Sequence, residues 1–303
     1  MHVSPTPPRF HIAIIGASIS GLALAISLRQ RPNVTYTLYE ASATFDAAGA
    51  GIVFGPNALR AMELIDAQFR AQYDQIATCN SSAHKANVFY DMLLSEEGFG
   101  AGRAGCPAEG LAVAYEGFRK SGAHRRKLMG VMTGLVPVGA VESGKRAVGV
   151  RENGAGRVEV RFADGAVVEA DAVVGCDGGK GVVRSAVLGK RYPDQVDATY
   201  SGRYVYRAIV PMADAREVLG NYAGDGKMFM GLERYFTTYQ MSDGTQMNFL
   251  AARQNDMPWT HDQWTQEVTR EEMIEDFEGC DPRLVKLLDV SDLSVHSKGL
   301  IYF

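Results

Sequence analysis

The stretch HIAIIGASISGLALAISLRQRPNVTYTLYEAS, close to the start of the chain, constrains the fold more than any other segment. Its pattern predicts a buried strand, a glycine turn, a helix, a turn that contains proline, and a second strand. A strand, a helix and a further strand in this order form a βαβ unit. We therefore expect a Rossmann-like α/β domain in this part of the chain.

The glycine turn, GASISG from Gly16 to Gly21, fits the dinucleotide fingerprint G-x-G-x-x-G with Ser18 at the second glycine position. In that fingerprint the helix N-terminus faces a pyrophosphate, and an acidic residue about 20 positions further on binds the ribose hydroxyls. Glu40 holds the acidic position at the end of the second predicted strand. Because an acid there repels a 2′-phosphate, NADP is the least favoured occupant, and FAD and NAD both stay open.

Composition excludes several classes of function. The chain has 303 residues, 46% of them hydrophobic, and a net charge of −4, so it can bury a large core but presents no broad basic field for nucleic acid. It has neither an export signal nor an apolar run of about eighteen residues, so we expect a cytoplasmic protein without a membrane span. The four cysteines lack CxxC spacing and the six histidines lack metal-ligand spacing, so neither a metal site nor a disulfide framework is expected.

Further along the chain the pattern changes from α/β to mainly β. The segment TFDAAGAGIVFGPNALRAMELI predicts a glycine-rich loop followed by a helix that opens near Pro56, and the stretch from Cys79 to Gly110 is irregular. HRRKLMGVMTGLV predicts a helix, and RVEVRFADGAVVEADAVVGCDG predicts a hairpin with its turn at 163–165 and then an apolar strand. From Tyr200 onward the chain is β-rich and aromatic, and THDQWTQEVTREEMIEDFEGCDPRLVKLLD is predicted to be helical.

Four segments besides the opening motif carry a family resemblance: AGAGIVFGPNALRAMELI, AHRRKLMGVM, DAVVGCDGGKGVVRSAV and YSGRYVYRAIVPM. Together they resemble the single-component FAD-dependent aromatic hydroxylases of the para-hydroxybenzoate hydroxylase type, and within them the fungal salicylate-hydroxylase-like monooxygenases. AHRRKLMGVM is similar to the family's HR-containing helix, and DAVVGCDGG is similar to its Asp-Gly motif. The cofactor-binding residues that the motif and the resemblance imply are Gly16, Ser18, Gly21, Glu40, Gly51, Arg125, Asp177, Gly178 and Arg184.

The resemblance also implies a substrate domain that takes phenols or aromatic acids. Arg207 or Arg203 is a candidate to pair with a substrate carboxylate, and Tyr206 and Tyr239 are candidates to line an aromatic pocket. The alternative, that these tyrosines pack a core and these arginines lie at its rim, stays open. No other catalytic residue is assigned, because in this family the flavin carries the chemistry.

The fold implied by the resemblance is α/β, with a Rossmann-like FAD/NAD(P)-binding domain and a second, mainly antiparallel β-sheet substrate domain of α+β type. The expected boundaries are a flexible leader at 1–10, the FAD-binding domain at 11–78 and 108–190, and the substrate domain at 191–303. The remaining stretch, 79–107, is an irregular connection or contributes a strand to the substrate domain. The family's Gly-Asp segment of the form GDAAH is not found, so the chain is expected to lack the family's C-terminal part.

The expected activity is that of an FAD-dependent monooxygenase that hydroxylates a small phenol or aromatic acid with NAD(P)H and O2, with or without loss of carbon dioxide, in fungal aromatic or secondary metabolism. One alternative is a shortened, catalytically inactive flavoprotein remnant, which the missing GDAAH segment favours. A second is an NAD-dependent dehydrogenase that uses the same opening motif. The sequence does not decide the specific phenol, the choice of NADH or NADPH, or the oligomeric state.

Overall fold

The computed structural model describes residues 10–44, 51–255, 257–260, 263, 265–290 and 297–302. All of the expected leader except Phe10, and most of the glycine-rich loop before Gly51, lie outside the described residues. The strands, in chain order, are β1 (Phe10–Ile15), β2 (Val34–Glu40), β3 (Gly51–Phe54), β4 (Val88–Leu94), β5 (Leu111–Ala114), β6 (Ser121–His124), β7 (Val141–Ser143), β8 (Ala147–Glu152), β9 (Val158–Phe162), β10 (Val167–Ala170), β11 (Ala172–Gly175), β12 (Tyr200–Pro211), β13 (Lys227–Gly231), β14 (Arg234–Met241), β15 (Gln246–Gln254), β16 (Thr265–Glu267) and β17 (Ser297–Tyr302).

The helices are α1 (Ile19–Leu28), α2 (Pro56–Ile65), α3 (Ala67–Ile76), α4 (Arg125–Gly134), α5 (Val182–Leu188), α6 (Met212–Leu219), α7 (Arg270–Glu275) and α8 (Pro282–Val290). The chain forms two compact units. Unit 1 comprises residues 1–47, 61–72 and 128–198, and unit 2 comprises residues 48–60, 73–127 and 199–303.

Unit 1 is built around a parallel sheet in the order β11-β1-β2-β7. Helix α1 crosses from β1 to β2 and packs on β2, while the antiparallel strands β8, β9 and β10 contribute to a shared core with the sheet. Tyr39 of β2 and Phe162 of β9 meet in that core with their ring centroids 4.9 Å apart. Strands covered on both faces need continuous apolar side chains, which explains the unbroken apolar run from Ile12 to Ile15. The predicted βαβ start and the hairpin at 163–165 are both present.

Unit 2 contains an eight-stranded sheet in the order β16-β17-β12-β15-β14-β13-β4-β5. Its neighbouring strands are antiparallel except for the parallel pair of β13 and β4. A two-stranded antiparallel ribbon, β3 with β6, also belongs to this unit. The mixed α/β fold with a mainly antiparallel second sheet is therefore confirmed.

The core of unit 2 lies on one face of the large sheet. Helices α6, α7 and α8 cover this face, and Phe236, Phe249 and Phe277 are fully buried there. Side chains alternate between the two faces of a strand, so every second residue of β12, β14 and β15 points to the other face. That second face is the one on which Arg207 and Tyr239 lie.

Three comparisons with the expected elements follow from the structure, and one of them, the start of the helix predicted from Thr260, is a correction. Strand β4 lies within 79–107, the stretch expected to be an irregular connection or to contribute a strand to the substrate domain, and it joins the large sheet of unit 2. Its central Asp91 is buried and paired with lysines from other elements, which the local pattern does not show. The predicted helix from Thr260 begins only at Arg270, where Thr269 and Glu272 form a reciprocal capping box. Residues 48–60, 73–78 and 108–127, which the expected boundaries assign to the nucleotide-binding domain, lie in unit 2, so the compact units do not coincide with the expected domains, whose boundaries stay a prediction.

Candidate functional site

The glycine turn of unit 1 joins β1 to α1 with no room for side chains at two positions. Gly16 has φ +99°, and a Cβ there would lie 2.7 Å from the carbonyl carbon of Cys176 and closer still to its oxygen. A Cβ on Gly21 would overlap the Gly16 carbonyl oxygen. The turn therefore packs β1, α1 and β11 closely against one another, which is the role of glycines in the dinucleotide fingerprint.

Ser18 is the N-cap residue of α1, with φ −78° and ψ −171°. A negative φ is open to any residue, so the serine in place of the second glycine causes no backbone strain. Its side chain makes no capping hydrogen bond, and it lines the same cleft as Ser20. The N-terminus of α1 thus keeps main-chain donors and the positive end of the helix dipole for an anion.

Glu40, the last residue of β2, is held by two main-chain donors. Its Oε2 accepts from Ala17 N at 2.9 Å, and its Oε1 accepts from Ser42 N at 2.9 Å. The first bond ties the carboxylate to the glycine turn, and the second ties it to the loop after β2. The acid predicted to bind a ribose is therefore fixed beside the turn predicted to bind a pyrophosphate.

The Asp-Gly segment follows β11 and approaches the same turn. Asp177 Oδ2 accepts from Val183 N at 3.2 Å and so caps the first turn of α5, while Gly178 has φ +83°. A Cβ on Gly181 would overlap the Asp177 carboxylate. The glycine thus leaves room for the aspartate to cap α5.

Arg184 lies on α5, and much of its guanidinium is already engaged. Its Nε and Nη2 donate to the main-chain carbonyls of Gln195 and Val196 at 2.7 to 3.1 Å. The side chain holds the 3₁₀ turn at Pro193–Gln195 against α5. In this arrangement Arg184 lines the cleft but has few donors left for a ligand.

Most of the predicted cofactor residues of unit 1 line one cleft of about 830 Å³. That volume lies within the usual range of ligand sites, roughly 300 to 1,000 Å³. The sequence-predicted residues in the wall are Gly16, Ser18, Glu40, Asp177, Gly178 and Arg184. Sequence reasoning missed Lys145 and Arg146, two cations of the loop between β7 and β8 that line the same cleft.

Gly51 and Arg125, the two other predicted cofactor residues, belong to unit 2. Gly51 begins β3, and its N donates to Asn248 Oδ1 at 3.1 Å, in a position where a Cβ would overlap the asparagine side chain. Arg125 is the first residue of α4. His124, which precedes it at the end of β6, accepts from Arg126 N through Nδ1 at 3.1 Å.

Arg207 and Tyr239 lie on the same face of the large sheet of unit 2. Arg207 pairs with Leu250, and Leu250 pairs with Thr237, so these three side chains share a face. Tyr239 is two residues beyond Thr237 on the same strand and therefore points to that face too. Arg203, four residues before Arg207 on β12, also lies on this face, and both arginines are exposed.

Tyr206 is not a pocket residue, contrary to the sequence-based expectation. As the neighbour of Arg207 in β12 it points to the opposite face, where it is 2% exposed among the core residues of unit 2. Its hydroxyl donates to Asp276 Oδ2 at 2.6 Å, and the Tyr204 hydroxyl donates to the same oxygen at 2.6 Å. The alternation of side chains along a strand explains why only one of two adjacent candidates can face a ligand.

Tyr239 is 6% exposed and lies close to Gly122 of β6, where a Cβ would stand 3.2 Å from its ring. Burial raises the pKa of the Tyr239 hydroxyl, and Tyr90 raises it further, while the charge of Arg207 acts in the opposite direction. The hydroxyl is therefore protonated at neutral pH and able to donate a hydrogen bond.

Lys120, which no sequence signal singled out, is buried beside Tyr239. Its Nζ lies 4.2 Å from the ring centroid of Tyr90 and 5.3 Å from that of Tyr239, and it has no hydrogen-bond partner among the described residues. Burial lowers the pKa of its amine to about 7, against the opposing charges of Asp225 and Asp91. A lysine in a hydrophobic setting gives no local pattern by which sequence reasoning could find it.

Within the part of the chain that the structure describes, no group of three or more His, Cys, Asp and Glu side chains is arranged to hold a metal ion. None of the described helices is both long enough and apolar enough to cross a bilayer.

Known proteins similar to this chain include fungal flavoenzymes. No protein-family model matches it. It is 34% identical over 276 residues to an FAD-dependent monooxygenase from Gibberella moniliformis, covering 89% of this chain and 61% of that protein. It is 31% identical over 274 residues to 6-methylsalicylate 1-monooxygenase from Aspergillus terreus, covering 89% of this chain and 60% of that protein. A salicylate hydroxylase solved as a substrate complex has a similar fold, with a TM-score of 0.79 and 22% identity over 98% of this chain and 69% of that one.

The chain spans about 60% of the length of these two curated relatives. The matches nevertheless extend over nearly all of its own residues, through both the nucleotide-binding motif and the large sheet. Over nearly all of its length the chain is thus similar to fungal FAD-dependent monooxygenases, and it has the fold of a salicylate hydroxylase.

Proposed function

We propose that this protein binds FAD and hydroxylates a phenol or aromatic acid with NAD(P)H and O2, with or without loss of carbon dioxide. The observation that carries the proposal is the convergence of the glycine turn, Glu40 and the Asp-Gly segment on one cleft of unit 1. The names of the relatives, an FAD-dependent monooxygenase and a 6-methylsalicylate 1-monooxygenase, support the cofactor and the substrate class. Their fungal origin makes fungal aromatic or secondary metabolism the expected setting.

The cleft of unit 1 fits the ADP half of FAD. The N-terminus of α1 supplies main-chain donors for the pyrophosphate, and Glu40 still has lone pairs for the ribose hydroxyls. Gly16 and Gly21 form a cradle that a Cβ would fill. The roles of Gly51, Arg125, Asp177, Gly178 and Arg184 in holding FAD remain predictions from the family resemblance.

FAD, when bound, supplies the redox chemistry that activates oxygen, and the chain's own residues bind and orient the substrate. We assign Arg207 to pair with the carboxylate of an aromatic acid, because it is an exposed cation on the face of the large sheet that lies away from the core. We assign Tyr239 Oη to donate a hydrogen bond to a substrate oxygen, because burial keeps its proton in place. An aromatic wall beside a bidentate cation suits a benzoate-like ligand.

The first experiment is to express the 303-residue chain and record its visible spectrum before and after incubation with FAD. We expect flavin absorption in the purified protein, weakened in Glu40→Ala and unchanged in the control Glu152→Ala, whose carboxylate is an exposed group on β8. Folded, colourless protein that cannot take up FAD would support the inactive remnant. Tight binding of NAD without flavin would support the dehydrogenase.

The second experiment measures NAD(P)H oxidation with a salicylate-like acid. Replacing Arg207 by Met is expected to raise KM for the acid by about ten- to a hundredfold, the loss of a charge-assisted pair worth roughly 1.5 to 3 kcal/mol. Arg216→Met on α6 is the matched control, because that arginine is exposed on the helical side of the sheet. Equal KM values in both variants would remove Arg207 from the substrate site, and carbon dioxide release reports separately on decarboxylation.

A further inference from the structure

Four cationic side chains line the cleft of unit 1, and three of them are already engaged. Lys145 Nζ pairs with Asp164 Oδ2 at 2.6 Å, Arg184 donates to two main-chain carbonyls, and Lys180 also has a partner. The fourth, Arg146, has an exposed side chain whose guanidinium makes no hydrogen bond or ion pair with any described residue. The cleft therefore has a free planar cation in its wall.

The loop that carries Arg146 is fixed beside Glu40. Gly144 N donates to Ser42 O at 3.0 Å, and Lys145 N donates to Glu40 O at 2.7 Å. The Lys145 ammonium, besides its ion pair, lies 5.7 Å from the ring centroid of Phe162. Arg146 is thus a free side chain on an anchored backbone, so a ligand that binds it must order the side chain but not the main chain.

The order of groups in a dinucleotide decides what Arg146 faces. In the proposed binding mode the pyrophosphate lies at the N-terminus of α1 and the ribose at Glu40, so the base lies beyond Glu40. Three cleft residues adjoin Glu40: Ala41 follows it in the chain, and Arg146 and Ala147 follow Lys145, whose N donates to Glu40 O at 2.7 Å. The two alanines provide a small apolar wall, and a guanidinium stacks well on a planar aromatic ring.

We propose that Arg146 lies against the face of the adenine ring and determines the affinity of the cleft for adenine nucleotides. The inference rests on the proposed FAD binding and adds a residue that positions the base. A phosphate on the ribose 2′ position is the alternative group for Arg146 to bind, but the Glu40 carboxylate in the same cleft opposes a second negative charge. Stacking on the base places no charge next to Glu40.

The test compares wild type, Arg146→Met and Arg146→Lys by calorimetric titration with ADP, FAD and adenosine 2′,5′-bisphosphate. Met keeps the length of the stem without the cation, and Lys keeps the charge without the planar group. We expect Arg146→Met to bind ADP and FAD about two- to thirtyfold more weakly, the range for a cation–π contact of roughly 0.5 to 2 kcal/mol. Arg146→Lys should fall between Arg146→Met and wild type, because an ammonium keeps the charge but cannot stack as a plane. Arg31→Met, which removes an exposed arginine from the turn after α1, is the charge-matched control and should bind like wild type.

Three outcomes would overturn the inference while FAD binding survives. These are unchanged ADP affinity in Arg146→Met, full wild-type affinity in Arg146→Lys, and a loss confined to the bisphosphate, which would assign Arg146 to a phosphate. If wild type binds neither ADP nor FAD, the proposed function fails and the inference fails with it. Arg146 is exposed, so circular dichroism should show that its variants fold like wild type.

Discussion

Replacing Gly16 by Ala tests whether the glycine turn is as tightly packed as the structure indicates. Two separate costs apply at this position. Its φ of +99° is unfavourable for any residue with a Cβ, and the added carbon would stand 2.7 Å from the carbonyl carbon of Cys176, which is main chain and cannot rotate away. Both costs act on unit 1 alone, because Gly16 and Cys176 both belong to it.

The expected loss of stability is the sum of these two costs. The positive φ costs about 1 to 2 kcal/mol, and the enforced overlap costs about 1 to 3 kcal/mol if β11 moves to relieve it. A total of about 2 to 5 kcal/mol is a large part of the 5 to 15 kcal/mol that typically stabilises a domain. Glycines elsewhere in the same unit separate the two costs. Gly156 has φ +76° with no atom within 4 Å of an added Cβ, and Gly154 has neither a positive φ nor a neighbour.

Hydrogen–deuterium exchange measured on peptides covering β1 and β11 gives the local opening free energy of unit 1 without assuming two-state unfolding. Informative amides include Gly16 N, which donates to Tyr39 O at 2.8 Å, and Cys176 N, which donates to Ile15 O at 2.7 Å. The expected order of destabilisation is Gly154→Ala, then Gly156→Ala, then Gly16→Ala. If Gly16→Ala costs no more than Gly156→Ala, β11 does not confine the turn and the reasoning is wrong.

Three further predictions concern unit 2. Lys120 has a folded pKa of about 7 against an ordinary 10.5, so the unfolded chain binds more protons between these values and the free energy of unfolding rises with pH there by up to about 1.4 kcal/mol per unit. In urea titrations from pH 7 to 9, Lys120→Met should reduce the increase in the free energy of unfolding with pH. An increase equal to that of wild type would show that the amine is not buried in the folded protein. Tyr206→Phe should cost about 1 kcal/mol of stability and leave KM for an aromatic acid unchanged. Tyr239→Phe should raise that KM about fivefold. A raised KM in Tyr206→Phe would contradict the placement of Tyr206 on the core side of the large sheet. Thr269→Ala should remove about 1 kcal/mol by breaking the capping box of α7, measured by the urea midpoint against Thr199→Ala, an exposed control in the same unit. Equal midpoints in wild type and Thr269→Ala would contradict this prediction.

Local chemistry explains why the start of unit 1 could be predicted. The turn from Gly16 to Gly21 is determined by contacts within a βαβ unit, and Glu40 follows at a spacing set by one helix and one strand. Even the serine at position 18 has a local explanation, since its φ is negative. These features depend on residues that are close together in the chain, so a local sequence pattern is enough to predict them.

Long-range pairing explains what the sequence could not reveal. Strand β4 carries Asp91 in its centre, which argues against a buried strand until Lys85 and Lys227 are brought to it from other elements. Similarly, the sequence YVYRAIV shows that Tyr206 and Arg207 point to opposite faces but not which face the helices cover. Asp276, which accepts from the Tyr206 hydroxyl, lies 70 residues away.

The two candidate binding regions differ in whether their charged side chains are fixed before a ligand binds. Glu40 is held by main-chain donors at both oxygens before any ligand arrives, so a ribose meets a carboxylate that is already in place. Arg207 is exposed, and among the described residues its guanidinium makes no hydrogen bond or ion pair, so a substrate must order it on binding. Ordering a long side chain costs roughly 0.5 to 1.5 kcal/mol, and this cost weakens the binding of every substrate by the same amount. Discrimination between aromatic acids must therefore come from the fixed groups on that face, of which Tyr239, buried and protonated, is the clearest donor.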